Sequence, residues 1–153
     1  MQTRIADVPA RAVAIDLLAR REHSRAELAR KLQARGIAAA EIEAALADLA
    51  AEGLQSDDRF AEILVESRAA RGYGPVRIAH ELREHGVAAD PARAAMERDP
   101  EFWNDRAAEA RRKRFGPALP DGTPARAKQA RFLEYRGFTA AQVRAALRQR
   151  DPG

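Results

Sequence analysis

The chain has 153 residues and a mass of 16.8 kDa; 46% of its residues are apolar and 33% charged, the make-up of a folded, soluble protein. Lacking cysteine, it excludes thiol catalysis, disulfides and Cys-ligated zinc, and no apolar run approaches the roughly 18 residues of a membrane-spanning helix. Residues 1–100 carry 15 basic and 17 acidic groups (net −2), whereas residues 101–153 carry 12 and 6 (net +6), so a polyanion or an acidic surface meets the C-terminal third first.

Ala, Leu, Arg and Glu fill every long segment and no alternating β-branched run competes, so helices are predicted throughout. The first helices are expected at 9–21, 25–35 and 39–51, the second of them opened by Ser24 with Glu27 three residues on, the form of a capping box. Next come 57–71, opened by Ser56 with Asp57 and Asp58 at the positive helix end, then 75–85 after Gly74-Pro75 and 91–98 after Asp90-Pro91. The last three are 100–115 after Asp99-Pro100, 124–136 after Thr123-Pro124, and 140–150, where Thr139 and Gln142 form a second box.

Three stops share one pattern. Gly36, Gly86 and Gly137 each precede an apolar residue (Ile37, Val87, Phe138), and each follows a leucine (Leu32, Leu82, Leu133) at the distance a Schellman stop requires. The glycines are spaced by 50 and 51 residues, which makes an internal repeat. The predicted fold class is all-α: three tandem three-helix repeats, 1–55, 56–99 and a basic 100–153, forming an elongated, curved body. Expected core positions are Val13, Leu17, Leu28, Leu32, Ile42, Leu46 and Leu49 in the first repeat. Phe60, Ile63, Leu64, Ile78, Leu82 and Met96 serve the second, and Phe102, Trp103, Phe115, Phe132, Leu133, Val143 and Leu147 the third.

No phosphate-binding glycine loop follows a strand. His80, Glu81, Glu84 and His85 share one helix but lack the further converging ligands a metal needs, so that face reads as solvated. The carboxylates are interspersed with arginines and have no evident apolar setting for acid–base work. The expectation is a non-enzyme without metal or cofactor, monomeric and cytoplasmic.

Candidate binding residues are Arg111, Arg112, Lys113 and Arg114, four cations in one helical turn, more than a helix dipole requires. Lys128 and Arg131 share a face of the next helix, as a contact or as ordinary solvated charge. Arg68, Arg71, Tyr73 and Arg77 surround the first turn of the second repeat; Tyr73 either stacks on a partner or packs over Pro75.

The run Ser56-Asp57-Asp58-Arg59-Phe60-Ala61, Arg68, Arg71-Gly72-Tyr73-Gly74-Pro75, Ile78, Glu81-Leu82 and Gly86-Val87 resembles the RecX family. Trp103, Arg112-Lys113-Arg114-Phe115-Gly116 and Arg136-Gly137-Phe138 resemble that family's third unit, so the likeness spans about residues 9–150. It implies tandem three-helix units that lie in the groove of the RecA–DNA filament and limit its growth or activity, restraining recombination and the SOS response. Under it, Arg68, Arg71, Tyr73, Arg77, Arg111, Arg112, Lys113, Arg114, Lys128 and Arg131 are the expected contacts to RecA. DNA, single- or double-stranded, is a weaker partner without sequence preference. The competing class is a helix-turn-helix transcription regulator. Against it, the third helices begin Ala39-Ala40-Glu41, Pro91-Ala92-Arg93 and Ala140-Ala141-Gln142, poor equipment for reading bases.

Overall fold

The computed structural model describes residues 9–148. They contain α1 (Ala10–Arg20), α2 (Arg25–Ala34), α3 (Ala39–Ala51), α4 (Asp57–Ala70), α5 (Pro75–Glu84), α6 (Ala89–Met96), α7 (Pro100–Phe115), α8 (Thr123–Tyr135) and α9 (Ala140–Arg148), with no strand among them. The last two positions of the predicted final helix lie outside the described residues.

Local chemistry sets the helix ends. Ser24 Oγ accepts the Glu27 N–H at 3.1 Å while the Glu27 carboxylate accepts the Ser24 N–H at 3.2 Å, completing the first box. Thr139 and Gln142 exchange the equivalent bonds at 3.3 and 2.9 Å, and Ser56 Oγ takes the Arg59 N–H at 3.1 Å. Two proline starts differ from the prediction. Helix α6 opens at Ala89, and its first backbone bond runs from the Ala92 N–H to Ala88 O, so Asp90 lies inside the first turn rather than capping it. Likewise Gly122 precedes α8 as the cap, and Thr123 is its first helical residue. Proline is tolerated anywhere in a turn whose N–H groups lack intrahelical acceptors, so Xaa-Pro marks a start only to within a residue or two.

The repeated stops carry both bonds of the Schellman motif. Gly36, Gly86 and Gly137 donate to Gln33, Arg83 and Glu134 at 2.9, 2.9 and 3.0 Å, while Ile37, Val87 and Phe138 donate to Leu32, Leu82 and Leu133 at 3.3, 3.0 and 3.1 Å. All three leucines have no exposed surface, and their apolar partners are buried as well. Two further stops of this kind, at Gly53-Leu54 and Gly72-Tyr73, use the carbonyls of Leu49 and Arg68.

The chain divides into two compact units, one of Met1–Ala61 with Leu82–Ala92, the other of Glu62–Glu81 with Arg93–Gly153. In the first unit α1, α2 and α3 pack on one another around Val13, Leu17, Leu28, Leu32, Ile37, Ile42, Leu46 and Leu49. Every core residue expected of the first repeat is therefore buried. The turn after α5 closes onto the start of α2: Ser24 Oγ donates to His85 O at 2.6 Å, and a Cβ added at Gly86 would lie 2.4 Å from the Ala26 Cβ.

Beneath this clasp lies a buried polar group. Neutral His23 uses Nδ1 to donate to Arg21 O at 3.0 Å, leaving Nε2 to accept from the Lys31 ammonium at 3.1 Å. Burial and the neighbouring cations Arg21 and Lys31 push its pKa below the ordinary 6.5. Burial alone would raise the Glu27 carboxyl, but Arg21 at 3.0 Å and the Ser24 amide hold it below its ordinary 4.5. Both shifts act in one direction. Unfolded His23 takes a proton before the folded form does, so stability falls as pH drops through 6.5 toward the folded value. The Glu27 contribution, complete above 4.5, is lost as pH falls further. A melting-temperature series from neutral to acid pH should fall in two steps, and His23→Gln should remove the upper one only.

In the second unit α7 packs against α8 and α9. Trp103 is 5% exposed and donates from Nε1 to Met96 O at 3.3 Å, and Leu133, Val143 and Leu147 are buried as expected. Ile63 is not: it is 49% exposed, because the buried stripe of α4 runs through Leu64, Val65 and Ala69, and position 63 faces away from it. Met96, Phe102, Phe115 and Phe132 are half-buried; Phe115 and Phe132 meet edge to face at 5.4 Å. The turn into α5 is joined to the turn after α8 by backbone alone. Gly74 N–H donates to Arg136 O at 2.8 Å and Val76 N–H to Gly137 O at 2.9 Å. A Cβ on Gly74 would stand 2.4 Å from the Gly137 carbonyl carbon, and one on Gly137 would stand 2.5 Å from the Arg77 Cβ.

Candidate interaction site

The backbone junction at Gly74 and Gly137 brings together charges from α4, the α5 start, α7 and α8. Arg136 at the end of α8 donates from Nη1 to Arg71 O at 3.3 Å, and its guanidinium carbon lies 4.9 Å from the Tyr73 ring centre and 5.1 Å from that of Phe132. Arg77 covers Tyr73 at 4.4 Å and reaches toward Tyr135, a ring 79% exposed, at 5.9 Å. Beside this stack is a cleft of about 210 Å³ whose charged walls are Arg71, Arg106, Lys113, Arg114 and Arg136, with Phe132 as an aromatic wall. Its one carboxylate, Glu109, is engaged with Lys113 at 3.1 Å and Arg106 at 3.7 Å. Buried Arg106 Nε finds no acceptor among the described residues. Five cations against one carboxylate, with a donor left over, suit an anionic group of a partner.

Of the residues singled out by sequence, Arg71, Lys113 and Arg114 line this cleft, with Tyr73 and Arg77 linked to it through Arg136. Arg68 is committed elsewhere: it grips Glu81 with bonds of 2.6 and 2.9 Å, and this carboxylate raises its already high pKa. Arg112 is half-buried, while Lys128 and Arg131 are exposed on α8 outside the cleft. Arg111 requires a correction. Expected as a surface contact, it has no exposed area, and its guanidinium donates to the carbonyls of Ala118 at 3.0 Å, Gly116 at 3.3 Å and Pro117 at 3.4 Å. Arg111 folds the loop after α7 instead of meeting a partner. Sequence reasoning missed Arg106 and Tyr135, and named Arg136 in the Arg136-Gly137-Phe138 motif without making it a contact residue.

No group of three or more His, Cys, Asp or Glu among the described residues is arranged to hold a metal ion. None of their helices is long and apolar enough to cross a membrane.

The successive helix triplets match the first RecX three-helix domain over residues 10–49, the second over 56–96 and the third over 104–147. The chain belongs to the RecX family. The Regulatory protein RecX of Halorhodospira halophila is 48% identical over 141 residues, covering 92% of this chain and 88% of that protein. The RecX of Pseudomonas fluorescens strain SBW25 is 43% identical over 144 residues, 94% of this chain and 93% of the other. Among solved structures, RecX from Lactobacillus salivarius shares the fold with a TM-score of 0.78 at 20% identity, over 90% of this chain and 92% of that one. A second crystal structure of regulatory protein RecX gives 0.79 at 19% identity, over 92% of this chain and 72% of that one. The protein is thus an all-α, three-domain regulator of the RecX type.

Proposed function

We propose that this RecX protein binds the RecA recombinase, on its DNA filament, and limits the filament's growth or activity, restraining recombination and the SOS response from the cytoplasm. Family membership over all three domains supports the regulatory role. The observation that carries the contact is the cleft of Arg71, Arg106, Lys113, Arg114 and Arg136, which offers cations to an anionic group of the filament. Regulation here works by occupancy: the protein supplies surface, and the recombinase supplies the ATP hydrolysis that reports on it. Tyr73, Arg77 and exposed Tyr135 extend the contact beyond the cleft with aromatic area.

Added to RecA on single-stranded DNA, the protein should slow ATP hydrolysis and shorten filaments; an unchanged time course at saturating protein would sink the reading. Reversing Arg71, Lys113 and Arg114 to Glu should weaken inhibition by about tenfold or more with helicity intact. Direct DNA binding, where measured, should lose affinity with salt at a log–log slope of roughly −0.7 per phosphate neutralised on a single strand. Tight, sequence-selective duplex binding would instead favour a transcription regulator.

A further inference from the structure

The cations of the cleft differ in how they are held. Three of its four guanidiniums lie over aromatic rings: Arg106 over Phe102 at 4.9 Å, Arg114 over Phe115 at 5.4 Å, and Arg136 over Tyr73 and Phe132 at 4.9 and 5.1 Å. Such stacking uses the flat face of a guanidinium and leaves N–H groups along its edge for an acceptor. Arg71 and Arg114 are exposed, and their side chains make no hydrogen bond or ion pair among the described residues. The donors reach the cleft from three elements, the ends of α4, α7 and α8.

Charge and shape decide what fits. The five cations less the Glu109 carboxylate leave a net charge of +4. Each of the three helix ends contributes about −0.5, so about +2.5 remains. An incoming carboxylate removes a single unit, and its planar pair of oxygens is matched by one guanidinium edge. A terminal phosphate brings about −1.5 to −2 and three acceptor oxygens that point in different directions, which suits donors from three helix ends. Two consecutive phosphodiesters of a strand bring a similar charge. The remaining walls include Ala69, Ala110 and Phe132, apolar surface that suits a sugar or base attached to the phosphate better than a hydrated ion.

We infer that this cleft is a phosphate site, taking the terminal phosphate of a nucleotide or two adjacent phosphodiesters of a single strand. The inference rests on the reading of the cleft as the contact, and it names what the cleft holds: phosphate, not a protein carboxylate. Arg106 and Arg136, stacked on rings and bonded in part to Glu109 and Arg71 O, supply fixed positive charge. Arg71 and Arg114 supply bonds that form only when the phosphate is present.

The test uses the full chain without recombinase, at fixed ionic strength. Pyrophosphate, oligothymidylate and oligoglutamate are titrated in turn, and the arginine Nε–H resonances are followed by nuclear magnetic resonance. Pyrophosphate and oligothymidylate should both move the Arg71 and Arg114 signals and should compete with each other. Oligoglutamate of equal charge should bind about tenfold more weakly or worse. Arg71→Gln/Arg114→Gln should lower phosphate affinity by about tenfold or more. Arg30→Gln/Arg35→Gln removes the same charge from exposed positions of the first unit and should change it by about twofold at most. Pyrophosphate binding as tightly as the strand identifies a terminal phosphate as the source, and tighter binding of the strand identifies phosphodiesters; either result supports the site. Absence of any shift at millimolar pyrophosphate, oligoglutamate binding as tightly as phosphate, or equal losses in the two double variants would overturn the proposal. Inhibition of RecA that persists after such a result leaves the regulatory reading standing, with a carboxylate as its contact.

Discussion

Replacing Arg111 with alanine should cost about 3–5 kcal/mol, from three carbonyls that lose their donor at about 1–3 kcal/mol each where they stay dry, and from the buried stem that no longer packs. Nothing about its neighbours in sequence announces this. Arg112, Lys113 and Arg114 stand on exposed or half-buried ground, whereas the Arg111 guanidinium ties three consecutive carbonyls, Gly116 to Ala118, back under α7. With net domain stability typically about 5–15 kcal/mol, a loss of this size brings a fold at the lower end of that range near its midpoint. Arg111→Lys should rescue little, since one ammonium cannot span the positions that a planar fork reaches. Urea unfolding of Arg111→Ala beside Arg114→Ala decides the matter: a midpoint change confined to the former is expected, and equal small changes would remove Arg111 from the structural role.

Gly74→Ala is the second large effect, about 3 kcal/mol, from a Cβ forced against the Gly137 carbonyl and the loosening of two backbone bonds. At roughly 2–4 °C per kcal/mol for a chain of this size, the melting temperature should drop by about 10 °C. Gly74 is not one of the glycines with positive φ, so the penalty is steric. Gly36 supplies the contrast: its φ of +82° strains any L-residue, but open space surrounds it, so Gly36→Ala should cost only about 1–2 kcal/mol. Hydrogen exchange should show the Val76 amide losing protection in Gly74→Ala and keeping it in Gly36→Ala. The opposite pattern would mean that the junction does not bear on stability.

Helix ends were readable because they are local. Ser24 with Glu27, or Leu32 with Gly36 and Ile37, state a cap or a stop within a handful of residues, and the threefold recurrence reinforced each reading. Asp90-Pro91 and Thr123-Pro124 misplaced two starts slightly because proline fits several positions of a first turn. The site was harder to read. Four successive cations point in four directions at about 100° per residue, and which of them faces inward depends on the carbonyls of a loop that sequence does not place. Arg106 and Arg136 join Arg71 in one cleft through the Gly74–Gly137 junction, a long-range contact that no local signal encodes. Ile63 shows the same limit: apolar character named a core residue, and the phase of α4 turned it outward.

The Gly74–Gly137 junction also sets an order of events during synthesis. Helix α5 leaves the ribosome well before α8, so the amides of Gly74 and Val76 emerge without their native acceptors, Arg136 and Gly137. The nascent middle of the protein stays hydrated there until α8 and the turn that follows it arrive to replace that water.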